Sequence, residues 1–503
     1  MKGARPLPPA LRRRGRPFSV EAFLPVRSLA RPLAAFARCL LAPALIAGAV
    51  AGLGAMSAVR AQPVRFGSAD DPREPGRRAP WQSARHVALR AGPSLVGPQW
   101  RAFLTGAAAY IGPSYATRLE GTLRGGVYGA YDEDADEAYD LVRLVDYARY
   151  ARSGTGGGPA LYTRAGPIQQ MTLGPAGHLV HFFRSNTAYD ERTVGAEAFA
   201  QTDRLSLGLF TDNVLVNGVT GGRLAARPFP GDGFAAPLAS TEVGLTAVTD
   251  LGLRDDRYAD SLETPTALAL DASYDATSPG GIALRPFASA AAFADYGWGT
   301  GAGAALSGDN FARLARFTVR LGLFYSSDQF TPGAFGALYT VSNPRARLAD
   351  DSALRAEAPG ERSASTPLSE IGASAGWRLG LRLLFFERFE LRSSYYGHLG
   401  DQDLSRYHLR LFFQTRDGRA RLFVRLDRGG LDHVFSVFGA ADDQTAVTFN
   451  ADYRLPFDLG GAGVWAHLRT RYTFERLDDG TGGVKRFLPQ RRFEPSVGVR
   501  LGL

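Results

Sequence analysis

Apolar and polar side chains alternate with a period of two on either side of Asp417-Gly418. Asp-Gly favours a two-residue type I′ turn, and folding the chain there sets Phe413 opposite Leu422, Leu411 opposite Val424 and Leu409 opposite Leu426. The other face pairs Gln414 with Arg421, Phe412 with Phe423, Arg410 with Arg425 and His408 with Asp427. Successive strand residues point to opposite faces, so this hairpin is hydrocarbon on one side and largely ionic on the other. A soluble sheet shows that contrast over a strand or two. Sustained along a chain behind an export signal, it predicts strands with lipid on one face and a polar lumen on the other.

Strand-like segments run 115–131, 141–152, 160–173, 193–202, 204–212, 219–228, 241–251, 266–275 and 312–326. They continue at 368–386, 389–398, 405–415, 419–428, 445–455, 463–475 and 489–503. Leu205, Leu207 and Leu209 alternate with Arg204, Ser206 and Gly208. Phe317, Val319, Leu321 and Leu323 alternate with Arg316, Thr318, Arg320 and Gly322. An Ala- and Gly-rich stretch, 282–307, has the least defined boundaries, and 341–366 carries charge and proline without a strand signal. Residues 62–83 read as an unstructured leader. Residues 84–112 are ambiguous: the run from His86 suits a strand, and Trp100 to Tyr110 suits a short helix. The expectation is an all-β, transmembrane antiparallel barrel of roughly 16 to 18 strands over 115–503, with 62–114 as a short periplasmic or plug segment.

In the last segment Phe493, Val497, Val499, Leu501 and Leu503 alternate to the final residue, interrupted by Pro495. This resembles the terminal strand of bacterial outer-membrane β-barrel proteins, which usually end in Phe or Trp where this chain ends in Leu. The resemblance covers 115–503 and implies an outer-membrane location, contact with lipid and lipopolysaccharide, and recognition of the C-terminal strand by the barrel-assembly machinery. It names no transporter and leaves the oligomeric state open.

The amino terminus supports export. Seven arginines from Arg12 to Arg38 precede an apolar run over 39–56, and Val59-Arg60-Ala61 offers small residues where a signal peptidase reads, predicting a signal peptide over 1–61 cleaved before Gln62. The rival, a retained membrane anchor, is weakened by Pro43, Gly48, Gly52 and Gly54 within that run. Its removal takes away ten of the 58 Lys and Arg and one of the 49 acids, leaving 48 of each. The basic balance therefore belongs to the leader, and overall composition gives no indication of a nucleic-acid partner. The single cysteine, Cys39, lies inside the leader, so disulfides and cysteine-bound metals are not expected beyond it.

Candidate chemistry is sparse. His178 and His181 have metal-like spacing only on a helix, and Gly174, Pro175 and Gly177 argue against one, so a structural role is favoured. Asp432, His433 and Ser436 invite a hydrolase reading, but on a strand 433 and 436 face opposite ways. His408 and His467, on the polar face, have no nucleophile to serve. The acidic run Asp132, Glu133, Asp134, Asp136 and Glu137 lacks the ligand spacing of a calcium loop. No catalytic residue, metal or cofactor is expected. What stands out is cationic: Arg316, Arg320, Arg382, Arg392, Arg410, Arg421, Arg425, Arg469 and Arg471 share the polar face with fewer acids, Glu390, Asp427, Asp452 and Glu475. Arginine rings in a watery lumen favour anions. The reading is a passive pore or transport channel for small polar or anionic solutes. The alternatives are a plugged structural or adhesin-like barrel acting through its loops, and a lipid-modifying enzyme of the outer leaflet.

Overall fold

The computed structural model describes residues 85–503, except 113, 128, 132–133, 135–138, 153–159, 189–192, 216–217, 230–235, 252–265, 278–281, 295, 312–314, 342–370, 387, 400–403, 443, 478–485 and 503. The expected signal peptide and the 62–83 leader lie outside the described residues, as does most of 341–366.

Twenty antiparallel strands form one sheet. The first five are β1 (His86–Val96), β2 (Gln99–Ile111), β3 (Tyr115–Gly126), β4 (Val145–Arg152) and β5 (Ala160–Gly166). Next come β6 (Gly195–Gln201), β7 (Leu205–Thr211), β8 (Val219–Ala226), β9 (Glu242–Asp250) and β10 (Thr266–Ser273). Then follow β11 (Ile282–Phe293), β12 (Trp298–Phe311), β13 (Ala315–Ser326), β14 (Ser374–Phe385) and β15 (Phe389–His398). The last are β16 (Arg406–Gln414), β17 (Ala420–Arg428), β18 (Thr445–Leu459), β19 (Ala462–Leu477) and β20 (Arg486–Gly502). Two-residue pieces, Gly129–Ala130 and Ala276–Thr277, add to β3 and β11. Each strand pairs with its chain neighbour, and β1 pairs with β20 through Val87–Leu501, Leu89–Val499 and Ala91–Val497. Closure of an all-antiparallel meander needs an even number of strands, and no strand edge is left open to lipid.

The strand number corrects the expected 16 to 18, and the barrel starts at His86 instead of 115. Trp100 to Tyr110 is strand, not helix. Its weak alternation comes from a Gly-Ala-Ala-Ala run of poor strand propensity, and pairing with both neighbours overrides it. The Ala- and Gly-rich stretch resolves into β11 and β12. The expected strand 160–173 ends at Gly166, beyond which the chain leaves the wall.

The hairpin register around Asp417-Gly418 is as read from the sequence, from Gln414–Arg421 to His408–Asp427. The turn differs. Gly418 N–H donates to Thr415 O (3.0 Å) and Thr415 N–H to Ala420 O (3.0 Å), closing a four-residue loop with only Gly418 at positive φ (+70°). Type I′ needs positive φ at both central residues; this longer loop is centred on the same bond and preserves the pairing.

Inside and outside separate along every strand. Leu323 is 71% exposed and Val497 55%, while Arg410, Arg425 and Arg492 on the other face are buried. The end bearing both chain termini is closed mostly by short connections such as 202–204, 386–388 and 460–461; the opposite end carries the long ones. Two of those, 167–194 and 327–341, turn into the lumen. Met171 and Phe183 exchange both backbone hydrogen bonds (2.9 Å each) within the first insert, while His181 N–H donates to Phe335 O (3.1 Å) and Phe335 N–H to Leu179 O (3.0 Å), binding the two inserts to one another. Ile168, Val180, Phe183, Phe330 and Phe335 pack against wall residues Phe210, Ala267, Ala291 and Phe293. The small wall residues make room: a Cβ on Gly301 would lie 2.8 Å from the His178 ring.

Candidate functional site in the barrel interior

Across the wall from β14 to β20 the register lines up arginines. Arg382 faces Arg392, Arg392 faces Arg410, and Arg410 faces Arg425; beyond Thr448 the row continues to Arg471 and Arg492. Like charges directly across a strand pair repel unless something intervenes. Glu390 takes hydrogen bonds from Arg382 (3.2 Å) and Arg392 (2.6 Å). The guanidinium carbons of Arg410 and Arg425 lie 5.4 and 5.2 Å from the Phe423 ring centre, a cation–π arrangement. Arg425 also donates to Gln169 Oε1 of the first insert (3.2 and 3.1 Å), and Arg492 to the Tyr131 hydroxyl (3.0 Å). Acids on neighbouring rows are already committed. Asp427 holds Arg184 and His408, and Glu494 holds Arg124 (2.7 Å) and Ser94 (3.0 Å). Glu120 is shared by Arg90 (2.9 Å), Arg469 (3.2 Å) and Arg118.

The other arginines singled out in the sequence do not join this row. Arg320 faces Gly380 and Arg316 faces Leu384 on β14. Arg421 lies near the terminus-bearing end opposite Asp452, whose carboxylate meets His467 at 2.6 Å. The side chain of Glu475 lies outside the description. Sequence reasoning missed Arg223, Arg378 and Arg492. Arg492 and Glu494 were legible, alternating with Phe493 and Val497. Arg223 sits in a glycine-rich strand with little pattern, yet it is fully buried, bonding Asp271 (3.0 and 2.5 Å) and Glu242 (3.1 Å).

His178 and His181 belong to the first insert and are neither helical nor extended. His178 Nδ1 meets Ser289 Oγ on β11 at 2.7 Å, and His181 Nε2 meets Ser394 Oγ on β15 at 2.9 Å. Arg378 reaches the carbonyl of Ala176 and His181 Nδ1 (3.2 Å), and Phe182, at φ +57°, stacks on His408 with ring centres 4.8 Å apart. Burial, aided by the Arg378 charge, pushes His178 down to about 3; His181 falls well below its ordinary value for the same reasons. Both are neutral fasteners of the insert to two walls. Among the described residues no group of three or more His, Cys, Asp or Glu is placed to hold a metal.

No known protein-family model matches the chain, and no curated protein sequence matches it. Solved structures that align over most of it include Acinetobacter baumannii OccAB3, at 12% identity over 84% of this chain and 99% of that one, TM-score 0.30. Pseudomonas aeruginosa OpdK with vanillate aligns at 10% identity over 83% and 98%, TM-score 0.30. Pseudomonas aeruginosa OpdL aligns at 11% over 84% and 99%, TM-score 0.32. What decides the class is the ring itself, closed from first strand to last, apolar outside and ionic within. The chain is a closed antiparallel β-barrel of the transmembrane type.

In this barrel, Ser436 and His433 do come together, against the strand-based expectation. Val434–Phe438 is a 3-10 turn capped by His433, whose Nδ1 accepts from Ser436 N–H (3.1 Å) and contacts Ser436 Oγ. Among the described residues no carboxylate bonds the His433 ring, so the contact has the chemistry of a helix cap. Of the acidic run only Asp134 is described, and it is paired with Arg124.

Proposed function

We propose that the protein is a passive outer-membrane pore for small polar, preferentially anionic, solutes, exported by a cleaved signal peptide. The observation that carries this reading is the row of six arginines, two of which, Arg382 and Arg392, share Glu390. A positive wall in a confined watery lumen raises the local anion concentration. The apolar outer band meets lipid and lipopolysaccharide, and the C-terminal strand engages the assembly machinery.

The test is the reversal potential of single channels under a potassium chloride gradient, for wild type and for Arg410→Gln/Arg425→Gln. Chloride should be preferred, and the double substitution should reduce that preference. A cation-selective pore refutes the reading. The inserts favour a second reading, a plugged barrel acting through its long loops. Absence of conductance, with the protein folded, would select it.

A further inference from the structure

At the terminus-bearing end of the lumen, away from the arginine row, two more arginines stack on a tryptophan with a third nearby. Arg421 follows the short 415–419 turn, Arg118 follows the 112–114 connection, and Arg500 is the third residue from the end of β20 counting Gly502 as the first. The guanidinium carbons of Arg500 and Arg421 lie 4.6 and 5.1 Å from the centre of the buried Trp465 ring. Arg500 is close enough to feel the charge of both Arg421 and Arg118, and Arg421 that of Arg118. Like charges held together on a rigid wall repel, and Asp452 is the acid whose charge reaches both Arg421 and Arg500. Asp452, directly across from Arg421, is turned to His467 (2.6 Å), and Glu120 and Asp146 serve Arg118.

Asp452 hydrogen-bonds His467 and neither Arg421 nor Arg500. Nε of Arg421 and Nε and Nη1 of Arg500 are buried with no hydrogen-bond partner, and neither residue makes an ion pair among the described residues. Buried N–H donors without acceptors are costly. Trp465 provides a flat floor that fixes both planar groups by cation–π contact, limiting their freedom to swing apart. Fixed guanidinium forks with a shared positive field fit an acceptor bearing several oxygens and more than one negative charge.

We propose that Arg421 and Arg500, mounted on Trp465, form a binding site for a small multivalent oxyanion of the phosphate or sulfate type at the terminus-bearing mouth of the lumen. The site deepens the anion-pore reading and rests on it for its access from water, but it has a readout of its own. The full chain, folded in detergent and checked by heat-modifiability, is titrated calorimetrically with sodium phosphate and, at matched ionic strength, sodium chloride. Saturable phosphate binding without a matching chloride response is expected, weakened about tenfold or more in Arg421→Gln/Arg500→Gln. Should that variant fail to fold, Arg500→Lys keeps the charge and loses the fork, and Trp465→Phe keeps both arginines on a weaker platform; each should bind several-fold more weakly. Phosphate affinity unchanged in the double variant, or in both single ones, overturns the site, as does a phosphate response equal to that of chloride. Failure of conductance leaves this result intact, whereas conductance without phosphate binding removes the site alone.

Discussion

The two halves of the barrel interior are built on opposite principles. From β5 to about β13 the lumen face beside the inserts offers small or apolar residues, Ala267, Ala269, Ala291 and Gly301 among them, and the inserts fill the space with Ile168, Phe183, Phe330 and Phe335, with the buried Arg223–Asp271–Glu242 cluster nearer the terminus-bearing end. From β14 to β20 every strand but β18 sets an arginine in the central row, with aromatic rings such as Phe412, Phe423 and Trp465 among them. One half is a dry core turned inside out; the other is an ionic wall suited to water. Strand pairing is indifferent to this contrast, since backbone groups are satisfied equally on both sides. Side-chain volume and charge alone decide where the lumen is occupied.

The largest expected effect comes from breaking the dry half. Phe335→Ala empties a fully buried position at the junction of the two inserts and should cost about 3–5 kcal/mol of their docking. Trypsin reports it at Arg184, a buried cleavage site in the first insert. Rapid cleavage in the variant against protection in the wild type is the expected result. Equal protection would mean that the apolar cluster does not hold the insert.

Next comes a pair that tests facing on the ionic half. Leu411→Arg puts a charge on the lipid face of β16, at a cost of about 2–4 kcal/mol near the midplane, while Arg410→Leu only removes a lumen charge. Folding yields in lipid, scored by heat-modifiability, should fall steeply for the first and little for the second. Equal yields would reverse the assignment of inside and outside around the 415–419 turn.

The same contrast explains what could be read from the sequence. On the ionic half the alternation is strong, so the pairing of Arg410 with Arg425 and His408 with Asp427 was legible residue by residue from one turn. On the dry half the inward residues beside the inserts are apolar, or are Ala and Gly, and alternation fades in 282–311. The inserts carry no period at all, because 167–194 satisfies its backbone partly through single bridges such as Met171–Phe183 and side-chain bonds such as Ile168 N–H to Ser185 Oγ (2.9 Å). Turn type failed for a different cause. Asp-Gly is compatible with two loops centred on the same bond, and Asp417 Oδ1 favours the longer by accepting from Thr415 Oγ1 (2.7 Å) and Arg419 N–H (3.0 Å).

The smallest expected effect concerns how the two halves are joined. The first insert is tied to the dry wall by His178 on Ser289 and to the wall bordering the arginines by His181 on Ser394. Groups facing His181 are Arg378, His408, Arg320 and Arg406, and Arg378 also faces His178, so no nearby acid rewards protonation of either ring. A released insert would carry histidines that take up protons below about 6.5. Docked, His178 stays neutral down to about 3 and His181 is held low as well. Docking is therefore fully supported above about pH 6.5 and weakens as pH falls toward the docked value, by about 1 kcal/mol per histidine over the first unit. Tryptic cleavage at Arg184, after correction for the pH dependence of the protease on a reference peptide, should quicken from pH 7 to pH 5.5. In His178→Asn/His181→Gln, which keeps a hydrogen-bonding group near each serine without a titrating ring, that dependence should flatten. Protection that is constant with pH, or that rises on acidification, would show that the histidine fasteners do not link the two halves.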